Sequence, residues 1–201
     1  MKPRCTTECA QDFRRVEAEK SALVMAVANP RTGLDVVVFE ELLKSQPIRA
    51  LVVTPTVSNP LGSVMSDEDR ERLVKITRRY DVPIIEDDVY AELVFDGSRP
   101  RPLRAFAGPS EDSHVLLVGS VSKTLAPGYR VGWLAGGRWH DQILRLKFSH
   151  TLACPTLPGM AVAEFLASGG YDRGLMSRRK SAPAHSRLCR RPLALSELLR
   201  L

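Results

Sequence analysis

Three short runs of continuous apolar sequence constrain this chain more than anything else in it. "IRALVVTP" (48–55), "VPIIEDD" (82–88) and "HVLLVGS" (114–120) are rich in β-branched residues and lack a polar alternation, so each suits a strand covered on both faces. Pro83 stands at the start of the second run, where a missing N–H is tolerated. Between the first two lies "SDEDRERLVKITRRY" (66–80), which reads as a helix. Ser66 and Asp69 have capping-box spacing, acids fill the first turn, and Arg78 and Arg79 close the last. Leu73, Ile76, Thr77 and Tyr80 form its inner stripe. Strands alternating with amphipathic helices imply an α/β fold: a three-layer α/β/α arrangement around a mostly parallel sheet.

The remaining elements extend this pattern. "SALVMAVA" (21–28) is a further strand and "NPRTG" a turn. "LDVVVFEELLKSQ" reads as a helix with Leu34, Val37, Val38, Leu42 and Leu43 toward the core. "RVGWLAGG" (130–137) is a strand reached from 114–120 with no helix between, so it is antiparallel or joined by a long loop. "RWHDQILRLKFSH" and "LPGMAVAEFLASGG" are two more helices, the second stopped by Gly169 and Gly170.

Net charge is +6 over 201 residues, which invites a nucleic-acid reading. The excess lies in residues 173–200, where Arg173, Arg178, Arg179, Lys180, Arg187, Arg190, Arg191 and Arg200 face only Glu197. The rest is close to neutral, so the charge describes a tail and not the domain. Cys5 and Cys9 have no second pair to complete a zinc set, and reduced thiols in a cytoplasmic protein are expected, with no metal site. No secretory leader is recognisable, and no apolar run is long enough to cross a bilayer.

In open α/β sheets, ligands gather beyond the carboxyl ends of the strands. Asn59, in "SNPLG", follows the 48–55 strand. Asp87, Asp88 and Tyr90, in "EDDVY", end the 82–88 strand. Ser120, Ser122 and Lys123 follow the 114–120 strand, with Arg130 beyond. Each has a plainer alternative: "SNPLG" as a turn, "EDD" as a solvated strand end or cap. A phosphate-binding P-loop is excluded at "SKT", because Ser122 stands where that motif needs Gly, and Pro127 and Gly128 interrupt any following helix. Taken together, the set fits a different chemistry. A lysine amine forms a Schiff base with an aldehyde cofactor. A carboxylate facing a pyridine nitrogen keeps it protonated; at an effective dielectric near 20, a contact at ~4 Å is worth ~4 kcal/mol, roughly three pKa units. Asn and Tyr can hydrogen-bond a ring oxygen, and two hydroxyls with a guanidinium suit a phosphate. The cofactor this chemistry describes is pyridoxal 5′-phosphate.

"NPLG", "IIEDDVYAEL" and "SVSKTLAPGYRVGW", in this order, resemble fold-type I pyridoxal-phosphate enzymes, the class I/II aminotransferases. "NPRTGLD", "LKFSHTLACPTLPGMAVAEFLASGGYDR" and "SKTLAPGYRVGW" are more similar still to the aminotransferase-like domain of MocR-type regulators, a branch of the GntR family. The resemblance implies a partial large domain over 21–173, between a non-family segment at 1–20 and a divergent basic tail at 174–201. It implies that Lys123 forms the Schiff base and Asp87 pairs with the pyridinium nitrogen. Asp88 is an alternative, although the Asp-x-x-Tyr spacing to Tyr90 favours Asp87. Asn59 and Tyr90 would contact the ring hydroxyl, and Ser120, Ser122 and Arg130 would hold the phosphate. Substrates would be an amino acid and a 2-oxo acid, and the chain would form a homodimer in the cytoplasm without itself touching nucleic acid.

Other family parts have no counterpart in the sequence. These are an earlier half-domain with a phosphate-binding helix start and a ring-stacking residue, a winged helix-turn-helix, and a small C-terminal domain with a carboxylate-binding arginine. The tail reads as a shifted frame or a terminal remnant. Three functions follow: an aminotransferase, an effector-sensing domain of a regulator, or a truncated, inactive product.

Overall fold

A computed structural model describes residues 28–29, 31–94, 99–108 and 111–189. All but the last residue of the strand expected over 21–28 lies outside the described residues. At its end, β1 (Ala28–Asn29) pairs antiparallel with β2 (Gly33–Leu34). The turn between them is tied by Arg31 N–H donating to Asn29 Oδ1 at 2.9 Å, and Gly33 adopts φ 84°. Leu34 therefore belongs to a strand and not to the following helix.

That helix, α1 (Val36–Ser45), begins where Asp35 accepts the N–H groups of Val37 and Val38. The cap sets the helix phase. Val36, Phe39 and Leu43 are buried, whereas Val37, expected inward, is 52% exposed. Strand β3 (Leu51–Val53) follows, then α2 (Asp67–Arg79), capped by Ser66 Oγ accepting Asp69 N–H at 3.1 Å. The inner face of α2 carries Leu73, Ile76 and Thr77 as expected, and also Val74 and the charged Arg70. Strands β4 (Ile84–Asp87), β5 (Val115–Ser120) and β6 (Gly132–Ala135) complete a four-stranded sheet in the order β3-β4-β5-β6.

β3, β4 and β5 pair in parallel, and β6 returns antiparallel to β5, with Ser120 opposite Gly132. The mostly parallel α/β sheet is thus as expected. One face packs Leu51, Ile84 and Val115 against Phe39, Leu43, Leu73, Ile76 and Leu103. The other is less covered than continuous apolar strands imply: Val52 is 69% exposed and Leu134 42%. Gly119 in β5 is fixed by crowding, since a Cβ there would run into the Trp133 indole of β6.

Beyond β6 come α3 (His140–Thr151), α4 (Thr156–Ala167) and α5 (Gly170–Cys189). Gly169, at φ 67°, ends α4, but Gly170 opens α5 and stops nothing. The divergent basic tail from 174 onward is helical through Cys189. Among the described residues no helix is long and apolar enough to cross a membrane. Leu73 is wholly buried at the centre of the core, so Leu73→Ala should lower unfolding free energy by about 3 kcal/mol. Urea denaturation would show this as a lower midpoint at unchanged slope; a loss below about 1 kcal/mol would contradict the packing described.

Candidate cofactor site

The parallel strands end on one edge, and their following loops gather the polar residues there. β4 ends in three acids with three different surroundings. Glu86 is wholly buried, and its carboxylate accepts the N–H of Leu103 at 2.7 Å and of Arg104 at 2.9 Å, tethering the 3-10 turn Leu103–Phe106. Burial pushes its carboxyl up to about 7, against the pull of those two amides. Asp88, also buried, pairs with the Arg99 guanidinium. Asp87, on the opposite face of the strand from Glu86, is half-buried and receives a hydrogen bond from Val89 N–H at 3.2 Å. Burial raises its carboxyl above the usual range, while that amide and the Lys123 ammonium act to lower it. Of the two candidate acids, Asp88 already has a cation and Asp87 has room for one.

Lys123 sits in the turn after β5, closed by Leu125 N–H donating to Val121 O at 2.8 Å. Its Nζ lies 5.6 Å from the Tyr90 ring centroid, and its charge is felt by Asp87. The structure thus brings Lys123, Asp87 and Tyr90 together. Ser120 Oγ is 2.7 Å from Ser122 Oγ and accepts Ser122 N–H at 2.9 Å. These hydroxyls and Arg130 line one cleft of about 530 Å³ with His140 and Lys147 of α3. Arg130 is exposed, adopts a left-handed φ of 53°, and has no hydrogen-bond partner among the described residues. Such backbone in a non-glycine residue is held there by its surroundings.

Asn59 lies in the loop after β3, preceding a cis peptide bond to Pro60, and its side chain is exposed without a hydrogen-bond partner among the described residues. The neck of that loop is held by Arg70. This wholly buried guanidinium donates to Met65 O and Pro55 O, each at 2.9 Å, to Thr56 Oγ1 at 2.8 Å and to Arg101 O at 3.1 Å. Sequence reasoning passed over Arg70 and Glu86. The available signal was a charge three residues before Leu73, on the inner stripe of α2. Among the described residues no cluster of His, Cys, Asp or Glu could hold a metal, and Cys5 and Cys9 lie outside them.

The donor set suits a phosphorylated pyridine aldehyde: an amine, an acid short of a cation, and paired hydroxyls beside a free guanidinium. Comparison with known proteins names the family on whose α/β sheet this set stands. The family model for aminotransferase class I and II matches residues 10–195. The chain belongs to that family. It is 37% identical over 152 residues to the uncharacterized HTH-type transcriptional regulator YjiR of Escherichia coli, covering 76% of this chain and 32% of that protein. It is 44% identical over 133 residues to the uncharacterized aminotransferase SSO0104 of Saccharolobus solfataricus, covering 64% of this chain and 30% of that one. Among solved structures, LysN, an α-aminoadipate aminotransferase from Thermus thermophilus complexed with N-(5′-phosphopyridoxyl)-L-leucine, matches at TM-score 0.77 and 29% identity, over 86% of this chain and 45% of that one. The chain therefore spans less than half the length of each of these relatives.

Glu86 generates a pH prediction. Its folded pKa of about 7 exceeds the ordinary 4.5, so the folded state binds the extra proton between those values. Its contribution is full below about pH 4.5 and is lost as pH rises through about 7, a change on the order of 3 kcal/mol. Glu86→Gln mimics the neutral carboxyl at every pH, so in denaturant titrations wild type should lose stability relative to the variant by that amount as pH rises from about 4.5 to about 7, with no further change above it. Wild type gaining stability relative to the variant over that window would contradict the assignment.

Proposed function

We propose that this chain binds pyridoxal 5′-phosphate at the carboxyl edge of β3, β4 and β5 and uses it to transfer an amino group between an amino acid and a 2-oxo acid. The observation that carries this reading is the half-buried Asp87 carboxylate within reach of the Lys123 charge, holding one amide donor and, among the described residues, no ion pair like that of Asp88 with Arg99. When bound, the cofactor supplies an aldehyde that condenses with amines and a ring that accepts electrons. Lys123 would offer its amine to that aldehyde and would serve as the base for the proton at the substrate α-carbon. Asp87 would keep a proton on the ring nitrogen. Tyr90, beside Lys123, and Asn59, in the loop after β3, would offer hydrogen bonds to the ring hydroxyl. Ser120, Ser122 and Arg130 would hold the phosphate.

A second reading keeps the binding and drops the turnover: the domain senses an amine effector for a transcription regulator. Similarity to HTH-type regulators, YjiR among them, favours it. Either way the family resemblance supports a homodimer in the cytoplasm, with this segment itself making no nucleic-acid contact.

The test is to incubate the purified chain with pyridoxal 5′-phosphate, reduce with borohydride and map the modified lysine. Label is expected at Lys123, none in Lys123→Ala, and amination of the cofactor by added amino acid. Asp87→Asn should keep the label and slow amination about a thousandfold, the factor that ~4 kcal/mol represents. Label without amination in wild type selects the sensor. No specific label overturns both readings.

A further inference from the structure

Helix α5 reaches back to the turn that carries Lys123. Tyr171 donates its hydroxyl to Thr124 Oγ1 at 2.8 Å, and Thr124, next to Lys123, is buried. Two helical turns along the same face, Arg178 donates to the carbonyls of Thr124 and, at 2.9 Å, Leu125. Arg179 donates to Glu92 O at 3.0 Å and pairs with the Glu92 carboxylate at 3.6 Å. Glu92 belongs to the 3-10 turn Ala91–Leu93 that directly follows Tyr90. One helix therefore grips both segments whose side chains meet at the Lys123–Tyr90 contact.

The grip lands where it has leverage. Lys123 is itself exposed, and its turn is closed by a backbone bond from Leu125 N–H to Val121 O. Downstream of Leu125 the chain runs through exposed Pro127 and Gly128 to left-handed Arg130, and the base of this loop is tied by Val121 N–H donating to Val131 O at 3.2 Å. Flexible turns open locally at small free-energy cost unless such contacts hold them. From this geometry we infer that Tyr171 and Arg178 are positioning residues for Lys123. In this arrangement α5 is a brace that fixes the amine relative to Tyr90 and Asp87. The inference rests on the cofactor reading above for its chemistry, but the brace itself is a property of the chain alone.

Two measurements on the full chain separate these. Hydrogen exchange needs no cofactor: in Tyr171→Phe/Arg178→Ala, amides of the 121–126 turn should exchange at least roughly tenfold faster than in wild type, as loss of three hydrogen bonds, each at the weak end of the usual range, implies. The core strands should be unchanged. Lys75→Ala, which removes an exposed ion pair on α2, serves as the control. Borohydride trapping at Lys123 across a pyridoxal 5′-phosphate titration should show apparent affinity about tenfold weaker in the double variant, with Arg178→Lys recovering part of the loss. Unchanged exchange overturns the brace. Faster exchange with unchanged affinity overturns the positioning role. If wild type itself takes no label, the cofactor reading fails, and the exchange data still decide whether α5 holds the turn.

Discussion

Parallel pairing of β3, β4 and β5 is the constraint from which the site follows. Because the strands run the same way in register, with Ile84 opposite Leu51 on one side and Val115 on the other, their carboxyl ends share one edge. The antiparallel return of β6 places Gly132 at that edge too. The whole segment from Val121 to Val131, with Lys123 and Arg130 in it, is therefore a loop on the same rim. Strand alternation then sorts the acids of β4. Glu86 turns into the core, Asp87 to the opposite face, and Asp88, past the strand end, meets Arg99.

Two buried charges keep this edge in shape. Arg70 holds the neck of the loop after β3 by its carbonyls, and Glu86 holds the turn at Leu103 by its amides. Arg101 O, which also accepts from Arg70, lies two residues before Leu103, so the two clamps share a segment. Such groups are costly to bury alone and tolerable only when well hydrogen-bonded, which both are here. They join these loops to the core, adding to ties inside the loop after β3 such as the Thr56–Val64 bridge.

Much of this was legible in the sequence where local rules decide. The cap at Ser66, the strands at 84–87 and 115–120, and the reversal before 132–135 all follow from short-range signals. The phase of α1 departs from expectation because Asp35, not Leu34, starts the helix and turns Val37 outward. Arg70, Glu86 and the contacts of α5 were not legible, since each depends on which distant backbone groups the fold brings near. The segment from 174 reads as a divergent basic tail; the helix it forms part of is anchored by tertiary contacts through Tyr171, Arg178 and Arg179. Of the site, the nearness of Lys123 to Tyr90 and Asp87 was readable from motif order, because all three stand at or just after the ends of neighbouring parallel strands.

The central claim is that an amine, an acid and a phosphate cradle on this edge receive one phosphorylated pyridine ring. A crystal structure of the chain grown with pyridoxal 5′-phosphate tests it most directly. The account predicts density continuous from Lys123 Nζ into the ring, the ring nitrogen against Asp87, and the phosphate at Ser120, Ser122 and Arg130. A ring bound elsewhere, or an edge on which Asp87 and Lys123 lie too far apart to touch the same ring, would contradict it.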